Sequence, residues 1–406
     1  MTAIKTLVIP ALLTLIAFFI TFQFVDPAPP NSIRITTGSE QGAYYKYAQR
    51  YKNYLMQFGI NVEVEKSSGS VENLSKLGER KVDVAFIQGG IVKADDTNNL
   101  KSLGSLYYEP LWVFYRSDQV INSLLDIRGK RVYWGEEGSG TQVLVSELLS
   151  QNQLQDTVTP VSIAEADVIF MVAAATSETV NQYLSDGSLN ILSFDRAEAY
   201  QRRLRYLTFV SIPRGMIDLS RDLPAEDKVT LATTANLVIN DDLHPAIQDL
   251  LLQAAAEVHS QAGWFESQYE FPNDQFPELP MSDEAKRYYK HGPPLLQKYL
   301  PFRIASLIDR LKVMLLPLIL MLVPLMKIMP PIYTWRMRSK IYRWYQQLEL
   351  IDLATDKADS DVNDLKQQLN EIEQEVIHVE VPLSFASQLY DLRQHIELVK
   401  KRIAQG

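Results

Sequence analysis

The same short design occurs twice in this chain and limits the available folds more than any other feature. At its first occurrence Ile33-Arg34-Ile35-Thr36 alternates apolar and polar, which predicts a strand. A loop with Gly38, Ser39 and Gly42 follows. Then Tyr44, Tyr47, Ala48, Tyr51, Tyr54, Leu55 and Phe58 recur at helical spacing. At the second occurrence Arg131-Val132-Tyr133-Trp134 leads into Gly135-Glu136-Glu137-Gly138-Ser139-Gly140-Thr141 and a helix over 142–149. Each unit aims a helix N-terminus and several backbone N–H groups at one spot, which favours anions. Two such loops facing each other across a cleft would clamp a small polar ligand. Either alone would offer a shallow, wet surface. Gly and Ser also serve ordinary tight turns, so the pattern needs company.

The rest of the chain from Ile33 onward repeats strand, loop and helix. Ile60-Asn61-Val62-Glu63-Val64 reads as a strand, followed by the Ser67–Ser70 loop and a helix over 71–77. The apolar run Val82–Ile87 suits a buried parallel strand, with Gln88-Gly89-Gly90 at its carboxyl end. Leu111–Tyr115 reads as a strand crossing into a second lobe. Asp167–Val172, Asn190–Phe194 and Leu207–Ile212 supply further strands there. Leu231–Ile239 returns to the first lobe, and the helix Pro245–His259 packs on it. Alternating β and α units predict an α/β doubly wound sheet whose ligands bind beyond the carboxyl ends of the strands. The Gly/Ser loops and the Gln88 turn all fall there.

The stretch from Ile35 through Gly38-Ser39-Glu40-Gln41-Gly42-Ala43-Tyr44-Tyr45 to Ala48 resembles the opening motif of the TAXI-type solute-binding proteins of TRAP transporters. The likeness continues at Ser67-Ser68-Gly69-Ser70-Val71-Glu72-Asn73 and at Asp83-Val84-Ala85-Phe86-Ile87-Gln88. It resumes at Leu125-Asp126-Ile127-Arg128-Gly129-Lys130-Arg131-Val132 and at Gly138-Ser139-Gly140-Thr141. The blocks keep the family's order and span residues 33 to 260. The resemblance implies a two-lobed clamshell of the type II periplasmic-binding-protein kind. Its first lobe would take residues 31–114 with a return and extension over 231–300, and its second lobe residues 115–230. The family's ligand-contacting positions fall on Gly38, Ser39, Tyr44, Ser68, Gly69, Ser70, Asn73, Gln88, Ser139, Gly140 and Thr141. The ligand so implied is an organic acid or amino-acid-like carboxylate, such as glutamate or 2-oxoglutarate, delivered to a TRAP membrane permease. Glu136-Glu137 depart from the pattern, because they would repel an anion unless they turn away or the ligand carries an amino group. Arg214-Gly215-Met216-Ile217 stands where the family often has a tyrosine, and Phe170–Ala174 lacks the usual glycine-rich turn.

Composition narrows the alternatives. A chain of 406 residues, 46% of them apolar, can bury more than one sizeable core. The formal charge of −9 gives no electrostatic reason to expect nucleic acid. There is no cysteine, which excludes disulfides and thiolate chemistry. The histidines (His244, His259, His291, His378 and His395) include no pair at metal-ligand spacing, so neither a metal nor another cofactor is expected. Ser139 is not in a G-x-S-x-G elbow, and both nucleotide-binding glycine fingerprints are absent. Adjacent Glu136 and Glu137 would point apart rather than form an acid–base pair. The residues describe a binding protein, not an enzyme.

Two apolar segments flank the lobes. Residues 7–25, within a leading segment 1–30, are uncharged and long enough to cross a bilayer core of roughly 30 Å, as an anchor or a signal segment. Residues 312–335 form the second expected span, with Pro317, Pro324 and Lys327 inside. Arg336, Arg338, Lys340 and Arg343 follow it and place that side in the cytoplasm. The expectation is an inner-membrane protein with a periplasmic clamshell and a cytoplasmic tail. In the tail (336–406), Leu365, Leu369, Ile372 and Val376 keep 4, 3, 4 spacing, as do Phe385, Leu389, Leu392, Ile396, Val399 and Ile403. Pro382 separates the runs, so a helical hairpin or short coiled coil is expected. Such a hairpin buries its own seam, self-associates or docks on a cytoplasmic partner. The last reading makes the chain a membrane-tethered sensor or adaptor instead of a transport receptor.

Overall fold

The computed structural model describes residues 15–16, 18–23, 27–93, 99–116, 118, 121–355 and 362–405. It divides into two compact units, Asp26–Asp309 and Met1–Val25 with Arg310–Gly406.

In the larger unit β1 (Ser32–Thr36) lies between β2 (Asn61–Glu65) and β3 (Val84–Gln88), all parallel. The connections α1 (Ala43–Met56) and α2 (Ser70–Gly78) are right for βαβ units. Alternation puts Ile33 and Ile35 into the first core with Tyr51 and Leu55 of α1. The next strand, β4 (Leu100–Arg116), is far longer than its apolar run, Leu111–Tyr115. Its first part pairs antiparallel with β10, and from Leu111 it pairs with β7 and β8. One strand therefore serves both lobes.

The second lobe contains β5 (Arg131–Tyr133), α3 (Gly140–Gln151), β6 (Thr159–Pro160) and β7 (Val168–Val172). It continues with α4 (Glu178–Ser185), β8 (Leu189–Ile191), α5 (Ala197–Arg203) and β9 (Thr208–Ile212). Two apolar clusters cover its sheet, one around Phe170 and Leu148, the other around Trp112 and Phe114. β10 (Lys228–Asn240) then runs back, pairing with β9, β4 and β3. The strand order β2-β1-β3-β10-β4-β7-β5-β6 is mixed, with the long antiparallel pair β4/β10 at its centre. This is a mixed α/β sheet.

Helix α6 (Pro245–His259) starts on a Pro at its first turn and a His244 cap, and buries its apolar face in the first core. The segment after it is ordered. Phe271 and Leu279 are buried, Asn273 exchanges backbone hydrogen bonds with Ser105, and α7 (Asp283–His291) docks through Arg287 to Asp249 at 2.6 Å. Short helices α8 (Leu295–Tyr299) and α9 (Phe302–Leu311) end the unit, with Phe302 in the first core.

The smaller unit corrects two expectations. Among the described residues no helix is long and apolar enough to cross a membrane. Residues 7–14, 17 and 24–25 of the first expected span lie outside the described residues. The second, at 312–335, is not a separate element. After a 3-10 turn at Lys312–Met314 it belongs to α10 (Leu315–Thr355), which continues past Arg336, Arg338, Lys340 and Arg343 without a break. Its later half is amphipathic, with Met337, Ile341, Trp344, Leu348 and Ile351 buried at 4, 3, 4, 3 spacing. These residues share one core with the seams of α11 (Val362–Ile377) and α12 (Ala386–Gln405). The expected two-helix hairpin is thus a three-helix cluster, because α10 supplies a third apolar stripe.

Candidate functional site

The carboxyl ends of β1 and β3, the loops after them, and the middle of the β4/β10 pair converge between the lobes. Loop residues Gly38 and Ser39 follow β1 and close a turn in which Gly42 N–H donates to Ser39 O at 2.9 Å. Gly38 O accepts from Ser67 N–H at 3.4 Å, tying the first loop to the second. Asn73 is fully buried below them and holds the strand ends together. Its Oδ1 accepts from the Thr36 hydroxyl at 2.7 Å and the Ser67 hydroxyl at 2.6 Å. Its Nδ2 donates to Phe86 O at 2.9 Å and to Thr37 O. Asn73 therefore has its polar atoms engaged by the fold.

Ser68 is engaged too. Its N–H and hydroxyl both donate to Glu72, at 2.7 and 2.8 Å. The Lys76 ammonium and the Ser68 N–H hold the Glu72 carboxyl down to about 2. Gly69 sits at φ 133°, a conformation reserved for glycine, and the Ser70 hydroxyl accepts from Gln88 N–H at 2.9 Å.

The second lobe's loop closes onto this face. Gln88 Nε2 donates to Gly140 O at 3.1 Å. A Cβ added at Gly140 would stand 2.3 Å from Gln88 Oε1, and one at Gly69 would stand 3.5 Å from Ser139 Cα. The two lobes are thus in contact, and the bare Gly140 leaves the room that the Gln88 amide occupies. At the rim, Lys46 of α1 pairs with Glu178 of α4 at 2.7 Å. Ser139 caps α3: its Oγ accepts from Gln142 N–H at 3.2 Å and donates to Glu136 O at 2.7 Å. Thr141 Oγ1 accepts from Val172 N–H at 3.1 Å, securing α3 to β7. The expected residues Gly38, Ser39, Tyr44, Ser68, Gly69, Ser70, Gln88, Ser139 and Gly140 gather at this contact. Asn73 and Thr141 support it from behind.

The departures from the motif resolve in two ways. Glu136 and Glu137 are exposed, and Glu136 accepts from the Tyr133 hydroxyl at 3.1 Å. Arg214 is exposed and engaged with Asp222, its Nε 2.8 and 2.9 Å from the two carboxylate oxygens. Phe170 is a core residue of the second lobe.

One residue at this place was not among the expected ones. Glu109, in the middle of β4, is only 5% exposed and accepts from the Tyr44 hydroxyl at 2.8 Å. Burial raises its carboxyl to about 8, against the weaker opposite pull of that hydrogen bond. Burial, reinforced by the Glu109 charge, pushes the Tyr44 phenol well above its ordinary value. Tyr44 also stacks on Phe86 at 5.4 Å. Beside them, the Tyr47, Tyr51, Tyr107 and His259 rings form one aromatic cluster. The signal for Glu109 is an acid inside the otherwise apolar run Leu106–Phe114, a placement that demands a partner. Among the described residues no group of three His, Cys, Asp or Glu is placed to hold a metal ion.

A family model described as the NMT1-like family matches residues 35–290. Among solved structures, a protein from Bordetella bronchiseptica RB50 is 13% identical, with 57% of this chain and 72% of that chain covered and a TM-score of 0.41. The alkanesulfonate-binding protein of Xanthomonas axonopodis pv. citri, bound to MOPS, is 16% identical; 41% of this chain and 62% of that chain are covered, with a TM-score of 0.33. An ancestral arginine-binding protein bound to arginine is 11% identical, with 56% and 92% covered and a TM-score of 0.37.

Proposed function

The chain belongs to the NMT1-like family, within the type II periplasmic-binding-protein superfamily, and from that premise we propose that its larger unit is a solute receptor. In this reading it binds a small organic acid or amino-acid-like carboxylate between the lobes and hands it to a TRAP-type membrane permease. The observation that supports it most is the contact of the second lobe's Gly/Ser loop with the first lobe, through the Gln88–Gly140 hydrogen bond and the approach of Gly69 to Ser139. Hydroxyls and backbone N–H groups at that junction grip a carboxylate without an arginine, and lobe closure removes it from water. The receptor reading places residues 31–300 outside the cytoplasm, where a permease collects its cargo.

A thermal-shift screen of the full chain against amino acids, 2-oxoacids and dicarboxylates tests this. A ligand at 100 times its dissociation constant adds roughly 2.7 kcal/mol to apparent stability. A shift with a carboxylate supports the receptor; silence across the panel from a well-folded protein counts against it. A second reading has the three-helix unit pass the clamshell's state to a cytoplasmic partner. The core shared by α10, α11 and α12 favours it, since a receptor needs no such unit for binding. Recovery of a partner with full-length chain but not with one lacking residues 336–406 would support that reading.

A further inference from the structure

We propose that the cleft contains a cation subsite at Glu109, which takes the ammonium group of a zwitterionic ligand. The inference rests on the receptor reading and narrows its ligand class.

Glu109 stands where β4 passes from one lobe to the other. Its neighbour Pro110 still pairs with β10, and Leu111 already pairs with β7. It therefore lies at the crossing between the two lobes, held by Tyr44 from the first turn of α1. Tyr44 reaches one of its carboxylate oxygens, and among the described residues no donor reaches the other. Among the described residues it forms no ion pair either. Directly across the ladder is Thr233, on the same face of the sheet. The Thr233 hydroxyl is fully buried and has no hydrogen-bond partner. Tyr107, two residues before Glu109, also has a buried hydroxyl without a partner. The titratable and charged groups around this spot are the phenols of Tyr44, Tyr47, Tyr51 and Tyr107, the His259 ring, the Glu266 carboxyl, the Arg50 guanidinium and the Glu109 carboxyl itself.

A buried carboxyl with a bare oxygen, flanked by two orphaned hydroxyls, is a set of polar groups made for a guest. A hydroxyl can accept as well as donate, whereas a carboxylate only accepts and carries a charge, so a positively charged donor is the guest that satisfies all three and balances the carboxylate. An ammonium has three N–H donors for these three acceptors. Its α-carboxylate would then sit at the hydroxyls and N–H groups of the two loops. When the ammonium enters, the Glu109 carboxylic acid gives its proton to solvent and becomes the carboxylate of an ion pair.

Glutamate and 2-oxoglutarate share a skeleton and differ in an ammonium against a keto oxygen, so their comparison isolates the subsite. Calorimetric titration of the full chain is expected to show glutamate binding at least about tenfold tighter, the worth of one charge-assisted hydrogen bond. At neutral pH the binding should release roughly one proton per chain, read from the dependence of heat on buffer ionisation enthalpy. In Glu109→Gln the preference should collapse and the proton release vanish. Equal affinities in the wild type, or a preference that persists in Glu109→Gln, would overturn the cation subsite while leaving the receptor intact. The wild-type ratio and proton count decide the matter even if the variant folds poorly. Absence of binding by glutamate, 2-oxoglutarate, arginine, putrescine and succinate would overturn the receptor reading together with this one.

Discussion

Replacing Glu109 by glutamine should change how the stability of the empty protein depends on pH, in a window fixed by burial. The folded carboxyl titrates at about 8 and an ordinary glutamate at 4.5. Between those values the folded state holds more protons than the unfolded chain, so stability falls as pH rises. The full contribution is present below pH 4.5 and is lost as pH climbs through 8. Each pH unit in the window removes about 1.4 kcal/mol, and the whole interval on the order of 5 kcal/mol. Glutamine has the same shape and no charge to desolvate, so Glu109→Gln should lack this slope. Urea denaturation of both proteins at a series of pH values measures it, read as the difference between them. Burial raises Glu278 to about 7, Asp249 to about 6, and Glu266 in the same direction, but these groups are present in both proteins and cancel. Parallel stability curves for the two proteins would refute the claim that this carboxyl is buried without an ion pair.

Other substitutions separate fold from site. Gly140→Ala places a methyl 2.3 Å from Gln88 Oε1 and should hold the lobes apart, weakening carboxylate binding at least about tenfold by calorimetry. Asn73→Ala removes four hydrogen bonds at the strand ends and should destabilise the larger unit by about 3 kcal/mol in urea. Leu392→Ala opens a cavity in the three-helix core and should cost about 2–5 kcal/mol, seen as an earlier loss of helical circular dichroism.

The parts of the fold that were legible in the sequence are those where one physical rule acts alone. The strands expected at Ile33–Thr36 and Val82–Ile87 are found at Ser32–Thr36 and Val84–Gln88, because apolar alternation or an apolar run leaves no other place for them. The seams of α11 and α12 follow from their 4, 3, 4 spacing. β4 was legible only in its second half, because Gly104 and Pro110 interrupt the pattern that Leu100 begins. Gly104 is required there, since a Cβ would fall 2.1 Å from the Tyr289 hydroxyl contributed by a segment far along the chain. Glu109 stayed hidden for the same reason, since its isolation appears only once β10 places Thr233 opposite it. Helices α4 and α5 are short and carry few apolar residues, so no periodicity announces them. Residues 312–335 misled because apolar content alone does not distinguish a separate span from the start of a longer amphipathic helix. The loops were found from their glycines and serines. The division of labour within them was not, because Ser139 as a helix cap and Ser139 as a ligand contact have the same sequence.

The central claim, closure of two lobes on a small carboxylate, is open to a direct distance measurement. The chain lacks cysteine, so Asn53→Cys in the first lobe and Arg128→Cys in the second supply exposed labelling sites without other changes. Pulsed electron-spin resonance between the two labels, with and without saturating glutamate, reads the interlobe distance distribution. The account predicts a broad distribution for the empty protein that narrows and shifts to shorter distance with ligand. A distribution unchanged by every carboxylate that binds would contradict it.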